Sequence, residues 1–226
     1  MKAPSPFNSP ALRGLARAFP AVSERWYVIS KLASDPLYDA VFRELAPTSQ
    51  PLLDVGCGMG VLAFYLRARG WRHRISGLDY DPRKIDSARR VADQWGPDTE
   101  FHAGDARTGL PDHRGSVTIL DILQYFTPDE QRGLLQAAAH RVAPGGRLIL
   151  RNGLASRNWR SRLTRAGDRL AKATRWMQDH ALHYPTADFL DSCLHGAGLN
   201  GSLRPLWGRT PFNNWLGVWH HPAPAA

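Results

Sequence analysis

From residue 51 onward, short apolar runs of β type alternate with stretches of helical periodicity, and that alternation predicts βαβ units around a mostly parallel sheet. The runs cover residues 51–55, 74–78, 100–103, 116–120 and 147–152, each closed by turn residues. Between the second and third, Asp81 and Pro82 give a capped start to a helix whose inner face is Ile85, Ala88, Ala92 and Trp95. Thr127-Pro128-Asp129-Glu130 opens another as a capping box, with Leu134, Leu135, Ala138 and Val142 as its stripe and Pro144-Gly145-Gly146 as its end. A further helix is predicted over 186–197. Two last β-type runs, 201–206 and 214–220, are close enough to pair antiparallel. Before residue 51 there is no strand signal, and 21–45 reads as helix with a break at Asp35-Pro36.

A length of 226 residues suits one large domain with decorations, and 43% apolar against 22% charged residues excludes a disordered chain. Two cysteines, Cys57 and Cys193, exclude a disulfide framework, and no Cys/His spacing predicts structural zinc. Arg13 and Arg17 interrupt any apolar leader, and no later run approaches a membrane span, so the chain reads as soluble and cytoplasmic. Its net charge of +9 suits anionic partners.

The chemistry concentrates at the ends of the predicted strands. Leu52-Leu53-Asp54-Val55-Gly56-Cys57-Gly58-Met59-Gly60 places three alternate glycines between a strand and a helix. There the backbone can turn tightly and approach a ligand, while the helix presents its first amides. Position 61 is valine, so the loop departs from the G-x-G-x-x-G of nicotinamide-binding proteins. Gly77-Leu78-Asp79 ends the second strand with a carboxylate that can accept hydrogen bonds from two ribose hydroxyls. Gly104-Asp105-Ala106 ends the third with a carboxylate and an amide suited to an adenine edge.

In order and spacing these segments resemble the class I S-adenosylmethionine-dependent methyltransferases over about residues 51–220. LLDVGCGMG is similar to that family's first motif, Gly77-Leu78-Asp79-Tyr80-Asp81 to its second, Gly104-Asp105-Ala106 to its third and Ile119-Leu120-Asp121-Ile122-Leu123-Gln124-Tyr125 to its fourth. The resemblance implies a Rossmann-like seven-stranded sheet with an antiparallel last strand and helices on both faces. It also implies a cofactor, S-adenosylmethionine, leaving as S-adenosylhomocysteine. Asp54 and the loop Gly56, Cys57, Gly58 and Gly60 would face its methionine portion, Asp79 its ribose, Tyr80 and the Asp105–Ala106 pair its adenine. Asp121 and Ile122 would border the methionine end and the way to the acceptor.

The fourth motif continues as D-I-L-Q-Y-F and lacks the Asn/Asp-Pro-Pro-Tyr/Phe run of adenine-N6 and glutamine-amide methyltransferases, which argues against those acceptors. The candidate general bases are His180 and His183, which also read as surface histidines near a helix end; Tyr125 with Gln124 is a candidate to orient an acceptor or to pack the strand exit. Residues 1–50 are expected to form a helical lid, through Trp26 and Tyr27 and together with 156–178, or else to pack on the sheet, beside a methyltransferase domain of residues 51–226 with a helical insertion at about 156–185. Within 156–178, Trp159, Leu163, Ala166, Leu170, Ala173 and Met177 make an apolar stripe, while seven basic residues against Asp168 give +6. That face reads either as solvated cover or as a dock for an acidic carrier protein or an anionic membrane surface, and less readily for nucleic acid. Phe212 and Asn213 are expected near the acceptor mouth.

RWYVISKL and TPFNNWL resemble, more distantly, methyltransferases that accompany bacterial aryl-polyene pigment synthesis, which implies secondary metabolism and O-methylation. The favoured reading is methyl transfer to a hydroxyl of a small or carrier-bound acceptor. The alternatives are an RNA methyltransferase and a non-catalytic S-adenosylmethionine-binding protein on the same fold.

Overall fold

The computed structural model describes residues 9–155, 182–208 and 213–222. Three helices lead: α1 Pro10–Ala18, α2 Val22–Ser34 and α3 Leu37–Leu45. Then come β1 Leu52–Val55, α4 Val61–Ala68, β2 Ile75–Asp79, α5 Pro82–Trp95, β3 Thr99–Ala103 and β4 Ser116–Leu120. A single 3₁₀ turn, Leu123–Tyr125, precedes α6 Pro128–Ala139 and β5 Leu148–Gly153; α7 Ala187–Gly196, β6 Asn200–Pro205 and β7 Asn214–His220 close the fold.

The seven strands form one sheet in the order β3-β2-β1-β4-β5-β7-β6. Strands β1 to β5 pair in parallel, and β7 runs antiparallel to both β5 and β6. The expected terminal hairpin is therefore present, with β7 as its inner strand. Strand order reverses between β1 and β4, and ligands of open α/β sheets bind in the crevice at the carboxyl ends of such a pair.

Alternation along the strands sorts the core into two layers. On one face Leu52, Ile75, Ile149 and Leu216 pack with the helices α1 to α5, whose inward residues include Leu15, Val28, Val41, Phe64 and Ile85. On the other, Leu53, Val117, Leu150 and Trp219 pack with Leu134 and Leu135 of α6 and Leu190 and Leu194 of α7. Local signals explain the helix starts. The side chains of Asp81, Thr127 and Thr186 accept from Arg83, Glu130 and Phe189 backbone amides, and Pro36 separates α2 from α3.

The N-terminal helices belong to this core. Leu12, Leu15, Val28, Leu37 and Leu45 are buried, whereas Val22 and Trp26 on the outer face of α2 are 65% and 67% exposed. Helix α1, capped by Ser9 with Pro10 in its first turn, falls within the segment expected to be helical but before the 21–45 run that showed its pattern. Among the described residues no helix is long and apolar enough to cross a membrane.

Candidate active site

Asp54 lies inside the sheet. The β1–β4 register sets it directly beside Thr118, whose Oγ1 donates to Asp54 Oδ1 at 2.6 Å. Only 3% of Asp54 is exposed, and burial, aided by the charge of Asp79 and opposed by the Thr118 bond, pushes its carboxyl from 3.8 up to about 7. A buried acid of that kind is poised to take its charge when a cation arrives.

The glycine loop follows immediately. Gly56 has φ +77° and Gly60 φ +75°, the left-handed region where a side chain strains the backbone. Space forbids a side chain as well, because a Cβ at Gly56 would fall 2.6 Å from Ile122 and one at Gly60 2.7 Å from Phe101. At Gly58 an added Cβ would meet nothing within 4 Å, so the loop is open there. Cys57 turns inward: its amide donates to Leu78 O at 3.0 Å, and its buried Sγ lies 2.8 Å from where a Cβ of Gly77 would stand. Burial pushes that thiol well up, so Cys57 offers the pocket no thiolate.

At the end of β2 each carboxylate oxygen of Asp79 already accepts one backbone amide, Oδ2 from Gly58 at 2.8 Å and Oδ1 from Asp81 at 2.9 Å. Each retains a further acceptor direction for a ribose hydroxyl. Tyr80, next along, is 48% exposed. Asp105 after β3 accepts from the Arg107 amide at 2.9 Å and pairs with the Arg107 guanidinium, while Ala106 is half-buried beside it. Arg107 also bonds Tyr125 O at 2.8 Å and Glu130, and lies 4.4 Å over the Phe126 ring. One side chain thus fastens the β3 loop to the turn after β4.

That turn holds Asp121 and Ile122. Ile122 packs against Gly56, which brings the end of β4 into contact with the glycine loop. Asp121 sits at φ +60°, and its carboxylate pairs with Arg151 of β5. Arg151 is 2% exposed and also pairs with Asp35 at the end of α2. The two carboxylates hold it protonated, against the cost of burying its charge.

Beyond the turn, the chain returns at residue 182. His183 N donates to Gln124 O at 2.8 Å, and buried Gln131 Nε2 donates to His183 O at 2.7 Å as well as to Leu123 O and Phe126 O. His183 is half-buried, and its ring takes no hydrogen bond among the described residues. Tyr125 occupies the same turn, half-buried against the core layer that holds α6 and α7.

The structure therefore brings Asp54, Gly56, Gly58, Gly60, Asp79, Tyr80, Asp105, Ala106, Asp121 and Ile122 to one end of the sheet, with Tyr125 and His183 beside Asp121. His180, Phe212 and the basic stretch 156–178 lie outside the described residues. Asn213 is fully buried: its side-chain amide donates to Leu154 O at 3.1 Å and Trp215 donates to its Oδ1, which ties the start of β7 to the end of β5.

Residues 52–146 match a family model described as a methyltransferase domain. Over that span the chain is similar to a methyltransferase domain. The matched span contains the whole glycine loop, Asp79, Asp105 and Asp121, and the family is S-adenosylmethionine-dependent.

The relatives place the domain more broadly. A ribosomal protein L11 methyltransferase of Burkholderia vietnamiensis is 32% identical over 106 residues, covering 47% of this chain and 33% of that protein. The chain thus matches about a third of the length of such curated relatives. Among solved structures, an O-methyltransferase family protein from Burkholderia thailandensis aligns over 88% of this chain and 58% of its own, with TM-score 0.67 and 22% identity. Magnesium protoporphyrin IX methyltransferase from Synechocystis PCC 6803, solved with bound SAH, aligns over 96% of this chain and 97% of its own, with TM-score 0.65 and 17% identity. At these identities the structural likenesses show the fold alone.

The residues present suit the family's cofactor. Gly58 leaves an open approach to backbone, Asp79 keeps acceptor directions beside it, and Asp54 and Asp121 supply carboxylates that would suit the cofactor's ammonium. The sequence reading missed Arg151, Asp35, Thr118, Arg107 and Gln131. Arg151 had one visible signal, a charge inside an apolar strand run, which a buried sheet tolerates only when paired.

Proposed function

We propose that the chain transfers the methyl group of S-adenosylmethionine to a hydroxyl of a small or carrier-bound acceptor. When bound, the donor supplies a methyl on a positively charged sulfur, so catalysis consists largely of alignment, with a base wherever the acceptor is a weakly acidic hydroxyl. Asp79 would hold the ribose and the loop 56–60 the methionine portion. Tyr80, Asp105 and Ala106 would border the adenine.

The observation that carries the acceptor side is the anchoring of His183. Two hydrogen bonds, from its own amide to Gln124 O and from Gln131 to its carbonyl, fix its backbone beside the turn that follows Asp121. A histidine held there can take the proton of an acceptor hydroxyl while Tyr125 orients the acceptor. Similarity to an O-methyltransferase family protein supports oxygen as the target. The +6 charge of 156–178 supports an acidic partner such as a carrier protein. Free Cys57 and Cys193 support a cytoplasmic, reducing setting.

The test is incubation with methyl-labelled donor and fractionated extract. Label in a small or carrier-bound hydroxyl compound, lost in His183→Ala, is the expected result. Label in RNA, or tight donor binding with no label anywhere, would overturn the reading.

A further inference from the structure

We propose that Arg151 is a positioning residue: it sets Asp121 for the amino-acid end of the methyl donor and, through Asp35, makes that setting depend on the docking of α2 and α3. The proposal rests on the reading that the glycine loop binds S-adenosylmethionine.

Arg151 grips Asp121 at both its backbone and its side chain. The Arg151 carbonyl accepts the Asp121 amide at 2.7 Å, and the guanidinium takes Asp121 Oδ2. Asp121 has φ +60°, a conformation aspartate tolerates at a cost and keeps only when its surroundings enforce it. Its side chain is 35% exposed, and Oδ1 takes no hydrogen bond among the described residues, so one oxygen is fixed and the other is available. Ile122 beside it packs against Gly56, which sets Asp121 next to the glycine loop. A donor tail carrying an ammonium is the group this free carboxylate oxygen suits.

The other end of the same guanidinium reaches the N-terminal helices. Arg151 Nη1 and Nη2 meet Asp35 Oδ1 and Oδ2 at 2.9 Å each, a bidentate pair, and Lys31 lies 3.7 Å from Asp35. Asp35 sits at the break between α2 and α3, where neighbouring Pro36 is met by the β6–β7 turn: a Cβ on Gly208 would fall 2.8 Å from Pro36 Cγ. Arg151 Nε is buried without a hydrogen bond. Burying an incompletely satisfied guanidinium is costly, and a well-packed apolar residue would serve stability as well. The arrangement is explained if its use lies in joining Asp35 to Asp121.

The test compares two ligands that differ in the tail. S-Adenosylhomocysteine carries the amino acid, and 5′-methylthioadenosine shares the adenosine and sulfur without it. Calorimetry on Asp35→Asn, which retains the acceptor for the Leu37 amide, and on Arg151→Lys should show about tenfold weaker S-adenosylhomocysteine binding, the scale of one charge-assisted hydrogen bond, with methylthioadenosine within twofold of wild type. In an Asp121→Asn background Asp35→Asn should add little, because both act through one carboxylate. Urea unfolding of each variant reports stability separately. Equal losses for both ligands, no loss for either, or additivity with Asp121→Asn would overturn the proposal. Wild-type protein that bound neither ligand would instead overturn the donor reading beneath it.

Discussion

Thr118 donates to Asp54 from the neighbouring strand at 2.6 Å, so a carboxyl raised to about 7 is held in one orientation beneath the glycine loop. The sign of its pH dependence follows. Between about pH 4 and pH 7 the unfolded chain has released the Asp54 proton while the folded chain keeps it. This group therefore makes stability fall as pH rises through that window and level off above it, by at most about 4 kcal/mol at 1.36 kcal/mol per pKa unit. Denaturant unfolding at several pH values should show the decline in wild type and its absence in Asp54→Asn.

Donor binding should use the same proton. The donor's positive sulfur and ammonium favour ionised Asp54, so binding near pH 7 should release about half a proton, measurable by calorimetry in buffers of different ionisation enthalpy. Asp54→Asn should abolish that release. Thr118→Val, which removes the bond that favours the charged form, should move the midpoint upward.

Two of the loop glycines should fail differently. Gly60→Ala combines φ +75° with a close approach to Phe101 and should cost about 2–4 kcal/mol of unfolding free energy. Gly58→Ala has φ +55° but open space, and should cost about 1 kcal/mol while weakening donor binding more than its stability loss explains. Paired unfolding and binding measurements separate the two.

On the acceptor side, His183→Ala should lower kcat about 100-fold or more with donor affinity unchanged. Gln131→Met, which removes the donor to three carbonyls, should lower kcat by a similar route and add little in the His183→Ala background. Full additivity in that cycle would make Gln131 a purely structural clip.

Much of this architecture was legible locally. The Asp35-Pro36 break, the Thr127 capping box and the glycine loop are carried by residues adjacent in sequence, and each fell where its pattern put it. Ser9 and Pro10 with Leu12 and Leu15 spell α1 in the same terms, a signal present but passed over. What the sequence did not disclose depends on pairing at a distance. Arg151 and Asp35 are 116 positions apart, Asp54 and Thr118 are 64, and only the strand register and the packing of α2 onto the sheet bring them together. Asn213 likewise finds its partner, Leu154, 59 residues away.

The account stands on a donor pocket at the carboxyl ends of β1, β2 and β4, with Asp79 as its sugar contact. Titrating S-adenosylmethionine and S-adenosylhomocysteine into the folded protein tests it most directly. Saturable one-to-one heat from both, weakened about 100-fold or more in an Asp79→Ala variant that still unfolds cooperatively, is the predicted result. Folded wild-type protein that gave no binding heat with either compound at any temperature tried, or an Asp79→Ala variant that bound as tightly as wild type, would contradict it.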